Sequence, residues 1–491
     1  MRQPDSTVSF ALSHENRIVW CVAATFVCLL LAQSLIMPPY EGFDETAHYS
    51  YISYLSDRGN VPDLRFTPLD ASIRSDCAGL PGRYSGRPPF DVADRMTYHR
   101  FFNAIPDSVR VAASDKFWNL PRSVQYEPDE DPNWQGQHPP LYYLLMVTPY
   151  RLLADATPAA RVFGLRLVSI VLVCCSLLFW VLMLRLFSIG RARTLVLLAG
   201  AVVLFVPSFY YGLARMGNGS LVTFLFAGTF YFLLAVGRRK TRWFDLLGLS
   251  IFIGLGLITK QFFLPVWAGA VICLLWYGWK SRQRPGVIGV RVATLIVVPL
   301  VIAGWWYLIY FGRYGVLFGG AESILSQSVT VHWIDQVSTG EFFSQLLRSI
   351  AAFGATFFWS GSWSYVHRPF WQYAAFVPFG LLWLVRFIDN FRRMTSEEAR
   401  NVVVAAIVVL ALTKIALGIH LIERLCLTGT GTGGYNLFAA WPMLGVLLAP
   451  VLLSGADRFA RALTLAAFGV LLWFDLSGFW FEAQVYSGLV A

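Results

Sequence analysis

Four side chains able to move a proton or hold a charge, Glu41, Asp44, Glu45 and His48, fall within eight residues of PPYEGFDETAHY at 38–49. A positioned carboxylate can take the proton of a hydroxyl, and an imidazole can orient it or titrate near neutrality. The stretch after Gly42, FDETAHYSYISYLSDRG, reads as a helix closed by Gly59 and then Pro62. On such a helix Asp44 and His48 share a face, and so do Glu41 and Glu45. Asp44 and Glu45 do not face each other, so they are not opposed carboxylates flanking one bond, as in hydrolytic glycosidases. The pattern predicts one carboxylate aimed at a substrate and a neighbour that orients it or binds something else. His48 is placed to hold the Asp44 carboxylate. The plain structural alternative is an acidic first turn favoured by the helix dipole.

This stretch leaves an apolar run that begins near Ile18, and similar runs recur almost to the C-terminus. The 491 residues are 56% hydrophobic and only 14% charged, against about 25% charged in soluble domains. Mean hydropathy is +0.55. The expected class is an all-α polytopic integral membrane protein. The seven cysteines do not form a disulfide framework by spacing, and the first run lacks a small-residue cleavage site, so it reads as a retained helix.

Charge sets the topology. Residues 38–138 hold 15 of the 29 acids and 10 of the 39 bases, within a chain of net charge +10. The bases cluster at Arg185/Arg191/Arg193, Arg238/Arg239/Lys240/Arg242, Lys280/Arg282/Arg284, Arg392/Arg393 and Arg458/Arg461. Positive residues prefer short cytoplasmic loops, which accounts for the basic excess without a nucleic-acid partner. About 11 spans (9–13) result: 18–37, 163–187, 194–214, 219–237, 244–260, 262–279, 287–312, 369–388, 401–421, 435–455 and 459–481. Residues 139–156 would invert the scheme if they crossed. They are read as interfacial or re-entrant, with Tyr142, Tyr143 and Tyr150 at headgroup depth; a second partial helix is expected at 342–360. The resulting organisation is a cytoplasmic N-terminus (1–17), a first transmembrane helix (18–37), and an outer catalytic loop with interfacial helices (38–162). A transmembrane bundle (163–312), a second outer loop (313–368) and a C-terminal bundle (369–491) follow.

This topology brings His48, His99, His138, His332, His367 and His420 to the outer side. It also gathers there the polar residues that interrupt apolar sequence at helix ends: Arg215 and Asn218, Lys260 and Gln261, Arg368, and Glu423 with Arg424. Ionisable groups at a membrane edge are costly and usually functional. Singly, each also fits an ordinary snorkelling end residue.

The acidic stretch after the first helix resembles the first-loop motif of the glycosyltransferase-C superfamily, with its P-x-x-x-x-D-E-x-x-H signature. This superfamily includes the protein O-mannosyltransferases, the lipid A aminoarabinose transferase and bacterial relatives. QHPPLYYLL (137–145), ARVFGLRLVSIVLV (160–173), PSFYYGLARMGNGSLV (207–222), GLGLITKQ (254–261) and GGYNLFAAWP (433–442) resemble later family segments in the same order. Gly434 stands where relatives often carry Arg, so that role is vacant or passes to Arg424. Asn218 and Gly219 stand where relatives tend to carry an acid.

The resemblance implies transfer of a sugar from a polyprenyl-phosphate donor to a glycan, lipid or protein acceptor. The site would face outside a membrane, most simply a bacterial inner membrane. Asp44 is then the candidate base, with Glu45 and His48 beside it. His138, Tyr142, Arg215, Asn218, Lys260, Gln261, Arg368, Arg424 and Tyr435 are candidate substrate contacts. No cofactor is required by this reading; a divalent metal held by Asp44, Glu45, His48 and His138 is left open, since carboxylate and imidazole suit Mn or Zn. The competing classes are a transporter or flippase of lipid-linked saccharides and a polymerase or ligase of surface polysaccharide. Inverted repeats with matched broken helices would favour the transporter, and the sequence shows none.

Reporter tags at 188–190 and 388–392 should read out the cytoplasm, and tags at 80 or 328 the outside. A cytoplasmic signal from the 157–160 turn would show that 139–156 crosses the membrane and would overturn the 11-span scheme.

Overall fold

A computed structural model of the chain describes residues 14–77, 102–103, 106–121, 125–186, 204, 206–237, 242–326, 331–355, 374, 376–393, 397–430 and 458–487. The all-α class holds. The described helices are α1 His14–Ile36, α2 Glu45–Arg58, α3 Ala71–Cys77, α4 Asp107–Asn119, α5 Leu141–Leu152, α6 Pro158–Leu186, α7 Pro207–Leu213 and α8 Gly219–Val236. They continue with α9 Trp243–Leu257, α10 Phe263–Lys280, α11 Pro285–Tyr314, α12 Ala321–Leu325, α13 Thr339–Ala355, α14 Phe376–Arg393, α15 Glu397–Thr428 and α16 Arg458–Tyr486. Among the described residues the strands are β1 Pro68–Asp70 and β2 Pro128–Pro132, an antiparallel pair that joins two parts of the segment between α1 and α6.

Among the described residues, five helices have the length and apolarity to cross a membrane: those beginning at Pro158, Gly219, Phe263, Pro285 and Arg400. Trp20–Ile36 and Trp243–Leu257 are shorter apolar helices. The expected span 435–455 and most of 194–214 lie outside the described residues. The expected span 401–421 is longer than its sequence suggests: α15 runs to Thr428, so Glu423 and Arg424 sit on its last turns, at the helix end as expected. All seven cysteines are unpaired.

α8 is the hub of the bundle, buried on nearly every side and packed against α6 and α9. Small residues allow this approach. A Cβ on Gly228 would lie 2.2 Å from the Phe252 ring, and one on Gly248 would lie 2.5 Å from that of Phe232. The outer layer is built on α2, which packs against α5 and β1. Helix α5 has only 12 residues, about 18 Å at 1.5 Å per residue, too short to span. Its tyrosines face the protein: Tyr142, Tyr143 and Tyr150 are fully buried against α2 and α6, while Leu144, Leu145 and Leu152 form the exposed face. The cause is their hydroxyl groups, which find partners inside the protein. Tyr142 pairs with Ser169 at 2.9 Å and accepts from the Gly217 N–H at 2.8 Å, and Tyr143 pairs with His48 at 2.9 Å.

Two arginines on α6 fasten this layer to the bundle. Arg161 donates to the Leu153, Ala154 and Ala156 carbonyls, the loose end left by α5, and to the Tyr49 hydroxyl at 3.1 Å. Arg166 reaches the end of α1, donating to the Ser34, Met37 and Pro38 carbonyls at 2.7–2.8 Å. The last carbonyls of a helix have no intrahelical donor and carry its negative dipole end, so a cation there satisfies both needs.

Candidate active site

The same Arg166 grips Glu45, with Nε on Oε1 at 2.8 Å and a second nitrogen on Oε2 at 2.6 Å. Both side chains are 0% exposed. Glu45 Oε1 also accepts the Met216 N–H at 3.0 Å, which joins the turn before α8 to the start of α2. Glu45 therefore orients its surroundings and is closed to an acceptor.

Its neighbour faces the other way. Of Glu41, Asp44 and Glu45, only Asp44 is partly exposed; the other two are buried. Asp44 caps α2 in a left-handed conformation, φ 58° and ψ 13°, which costs a non-glycine residue about 1–2 kcal/mol. Gly42 makes the tight turn before it. A Cβ there would lie 2.9 Å from Arg215 Cβ and 3.2 Å from Glu45 Cδ. Asp44 Oδ1 accepts from the Trp134 indole at 2.8 Å, leaving its second oxygen for other contacts.

The structure revises the sequence reading of His48. Its Nδ1 pairs with the Tyr143 hydroxyl, and its ring stacks on Tyr143 at a centroid distance of 5.8 Å. It does not hold Asp44; that part falls to Trp134. Its Nε2 would lie 3.2 Å from a Cβ on Gly217, so the glycine lets the Arg215–Asn218 turn close on the histidine.

Two cations, Arg215 and Lys260, and two histidines gather near Asp44, whose charge acts on Lys260. Burial lowers the His48 pKa well below the ordinary value, and Arg215, His138 and Lys260 push it the same way. Burial and then Lys260 lower His138 similarly. Both imidazoles are thus neutral at pH 7. Lys260, part-buried in the turn between α9 and α10, is lowered to about 8 by burial and then by Arg215, with Asp44 opposing. Arg215 Nε donates to the Gly212 carbonyl at 3.0 Å, and its guanidinium lies 5.6 Å from the Phe43 ring centre. Residues 44, 48, 138, 215 and 260 therefore lie within electrostatic reach of one another.

The remaining candidates divide. Tyr142 braces the Gly217 backbone. Asn218 is buried at the start of α8, its carbonyl accepting the Val222 N–H. Gln261 accepts the Gly319 N–H at 3.1 Å. Arg424 lies 3.4 Å from Glu322 in a part-exposed pair on the last turns of α15. Arg368 and Tyr435 fall outside the described residues. Among the described residues, no three His, Cys, Asp or Glu side chains come together as a metal site. Glu45 is committed to Arg166, so the four residues named for a metal do not come together as one set. Sequence reading missed Arg166, Tyr143 and Trp134. An arginine inside the apolar ARVFGLRLVSIVLV run was the available signal for the first, whereas a lone tryptophan in a polar loop carries none.

Residues 137–306 match the family model described as dolichyl-phosphate-mannose-protein mannosyltransferase, within the glycosyltransferase-C superfamily. Over that segment the chain is similar to membrane glycosyltransferases. Among solved structures, ArnT from Cupriavidus metallidurans is similar in its apo state and bound to undecaprenyl phosphate. Each match has 12% identity, covers 96% of this chain and 76% of that one, and has a TM-score of 0.47. The Archaeoglobus fulgidus oligosaccharyltransferase, tethered to an acceptor peptide, is similar at 12% identity over 96% of this chain and 55% of its own, with a TM-score of 0.41. No curated protein is detectably similar in sequence.

The lowered Lys260 pKa gives a signed prediction. Its charge is present below about pH 8 and lost as pH rises through that value, so affinity for a lipid phosphate should hold below pH 8 and fall above it. Lys260→Arg should flatten the profile, and Lys260→Ala should bind weakly throughout. The unfolded chain binds the proton more tightly, so this lysine costs stability below about pH 8, and the cost fades toward pH ~10.4. Titration of lipid-phosphate binding checks it; a Lys260→Ala protein that binds normally removes Lys260 from the site.

Proposed function

We propose that the chain transfers a glycosyl group from a polyprenyl-phosphate donor to an acceptor hydroxyl on the outer face of a bacterial inner membrane. The observation that carries this reading is the division between Glu45, closed in a buried ion pair, and Asp44, partly exposed and within electrostatic reach of Lys260, which Arg215 also approaches. A carboxylate near these two cations suits a reaction that removes a proton at one end and releases an anion at the other. The family match over 137–306 supports the donor class.

In this scheme an Asp44 oxygen takes the acceptor's hydroxyl proton. The acceptor oxygen bonds to the anomeric carbon as the bond from that carbon to the phosphate oxygen breaks. The electron pair leaves with the lipid phosphate, whose charge Lys260 stabilises through charge-assisted hydrogen bonds. Arg215 adds to the positive field, and His138 borders the same space as a neutral donor or acceptor. Trp134 holds the base, and the Glu45–Arg166 pair holds the turn that carries it. The acceptor class, whether glycan, lipid or protein, is set by surfaces beyond this group.

Asp44→Asn keeps the shape and the indole contact but loses basicity. It should lower transfer by at least ~10² while donor binding survives and thermal stability barely moves. Purified protein, lipid-linked donor and release of free lipid phosphate provide the readout. A near-normal rate for Asp44→Asn would end the assignment of the base.

A further inference from the structure

Gln137 and Gln261 come from distant parts of the chain, yet both fasten the same short turn. Gly319 donates its N–H to Gln261 Oε1 at 3.1 Å, and Ala321 donates to Gln137 Oε1 at 2.5 Å. Between them the Tyr310 hydroxyl donates to the Gly319 carbonyl at 2.7 Å. Gln137 immediately precedes His138, and Gln261 immediately follows Lys260. Lys260, proposed to meet the donor phosphate, and His138, which borders the same space, are thus each one residue from a side chain that holds this turn.

Sterics and charge extend the arrangement to a third element. A Cβ on Gly320 would lie 3.3 Å from His420 on α15, and Glu322 in the next turn faces Arg424 at 3.4 Å. Ala321 is 5% exposed and begins α12, where a backbone N–H has no intrahelical acceptor. Losing the glutamine oxygen would leave that donor buried and unsatisfied, which costs more than an average hydrogen bond contributes.

We propose that Gln137 and Gln261 are positioning residues: together they clasp the Gly319–Ala321 turn beside the donor site, so that His138, Lys260 and this turn shift as one unit when a lipid phosphate binds. The inference rests on reading His138 and Lys260 as donor contacts. A simple packing role would require the bonds but no response of the turn to ligand.

The test is amide hydrogen exchange of the full-length protein in detergent, with undecaprenyl phosphate as the probe and its binding measured separately. In the unaltered protein, exchange at 319–321 should slow by ~10-fold when the probe binds. In Gln137→Met/Gln261→Met the same amides should exchange ~10-fold faster and stop responding to the probe. Gln137→Glu/Gln261→Glu, which keeps both acceptor oxygens, should restore the slow basal exchange. With donor in a transfer assay, the methionine pair should raise KM ~10-fold while kcat changes little. Should the double variant not fold, Gln261→Met alone is read at Gly319 by the same criteria. Unchanged exchange in the methionine variants, or bound probe with no response at 319–321, would overturn the clasp. Failure of the functional reading is separate: it would appear as absent sugar transfer in the unaltered protein, with the exchange pattern intact.

Discussion

The contact between Arg166 and Glu45 is the constraint on which the candidate site and the segments around it depend. Two opposite charges withdrawn from water are tolerated only with close geometry and every remaining donor satisfied. The guanidinium meets that demand in full: it makes five hydrogen bonds, two to Glu45 and three to the carbonyls of Ser34, Met37 and Pro38. One side chain on α6 thereby fixes the end of α1, the loop that leaves it and the first residue of α2. Glu45 extends the connection to Met216 and so to the turn before α8. Four segments that could otherwise move independently are referred to a single buried pair.

Asp44 is turned outward because Glu45 is held inward. Adjacent residues at the start of a helix project in different directions, so anchoring one aims the other. The left-handed backbone at Asp44 and the close approach of Gly42 to Arg215 are local costs of that aim. Strain of this kind persists where surrounding structure over-determines it, and it concentrates at functional positions. The neutral His48 and the buried Tyr142 belong to the same support. Each braces the Arg215–Asn218 turn without itself lying open to a substrate.

The all-α membrane class was legible because bilayer-length apolar runs are a strong, one-dimensional signal. The helix Glu45–Arg58 and its Gly59 cap followed from spacing and a glycine alone. Asp44, His138, Arg215 and Lys260 were legible as candidates too. The partners of those residues were not. The i, i+4 rule places His48 and Asp44 on one face but cannot report that Tyr143 and Trp134, about 90 residues away in sequence, would take their hydrogen bonds. The tyrosines of 142–150 fit an aromatic belt by composition, and their hydroxyl partners inside the protein could not be read from spacing. Gln261 looked like a substrate contact because it follows Lys260, yet its carboxamide serves the protein's own backbone.

A double-mutant cycle on Glu45→Gln and Arg166→Met, read by chemical unfolding in detergent, tests the central constraint most directly. If the pair is the anchor, each single change strands a buried partner and should cost about 3–5 kcal/mol. The double variant should then lose far less than the two losses added together. Additive losses would contradict the account, because they would mean that Glu45 and Arg166 act independently and that the outward aim of Asp44 has another cause.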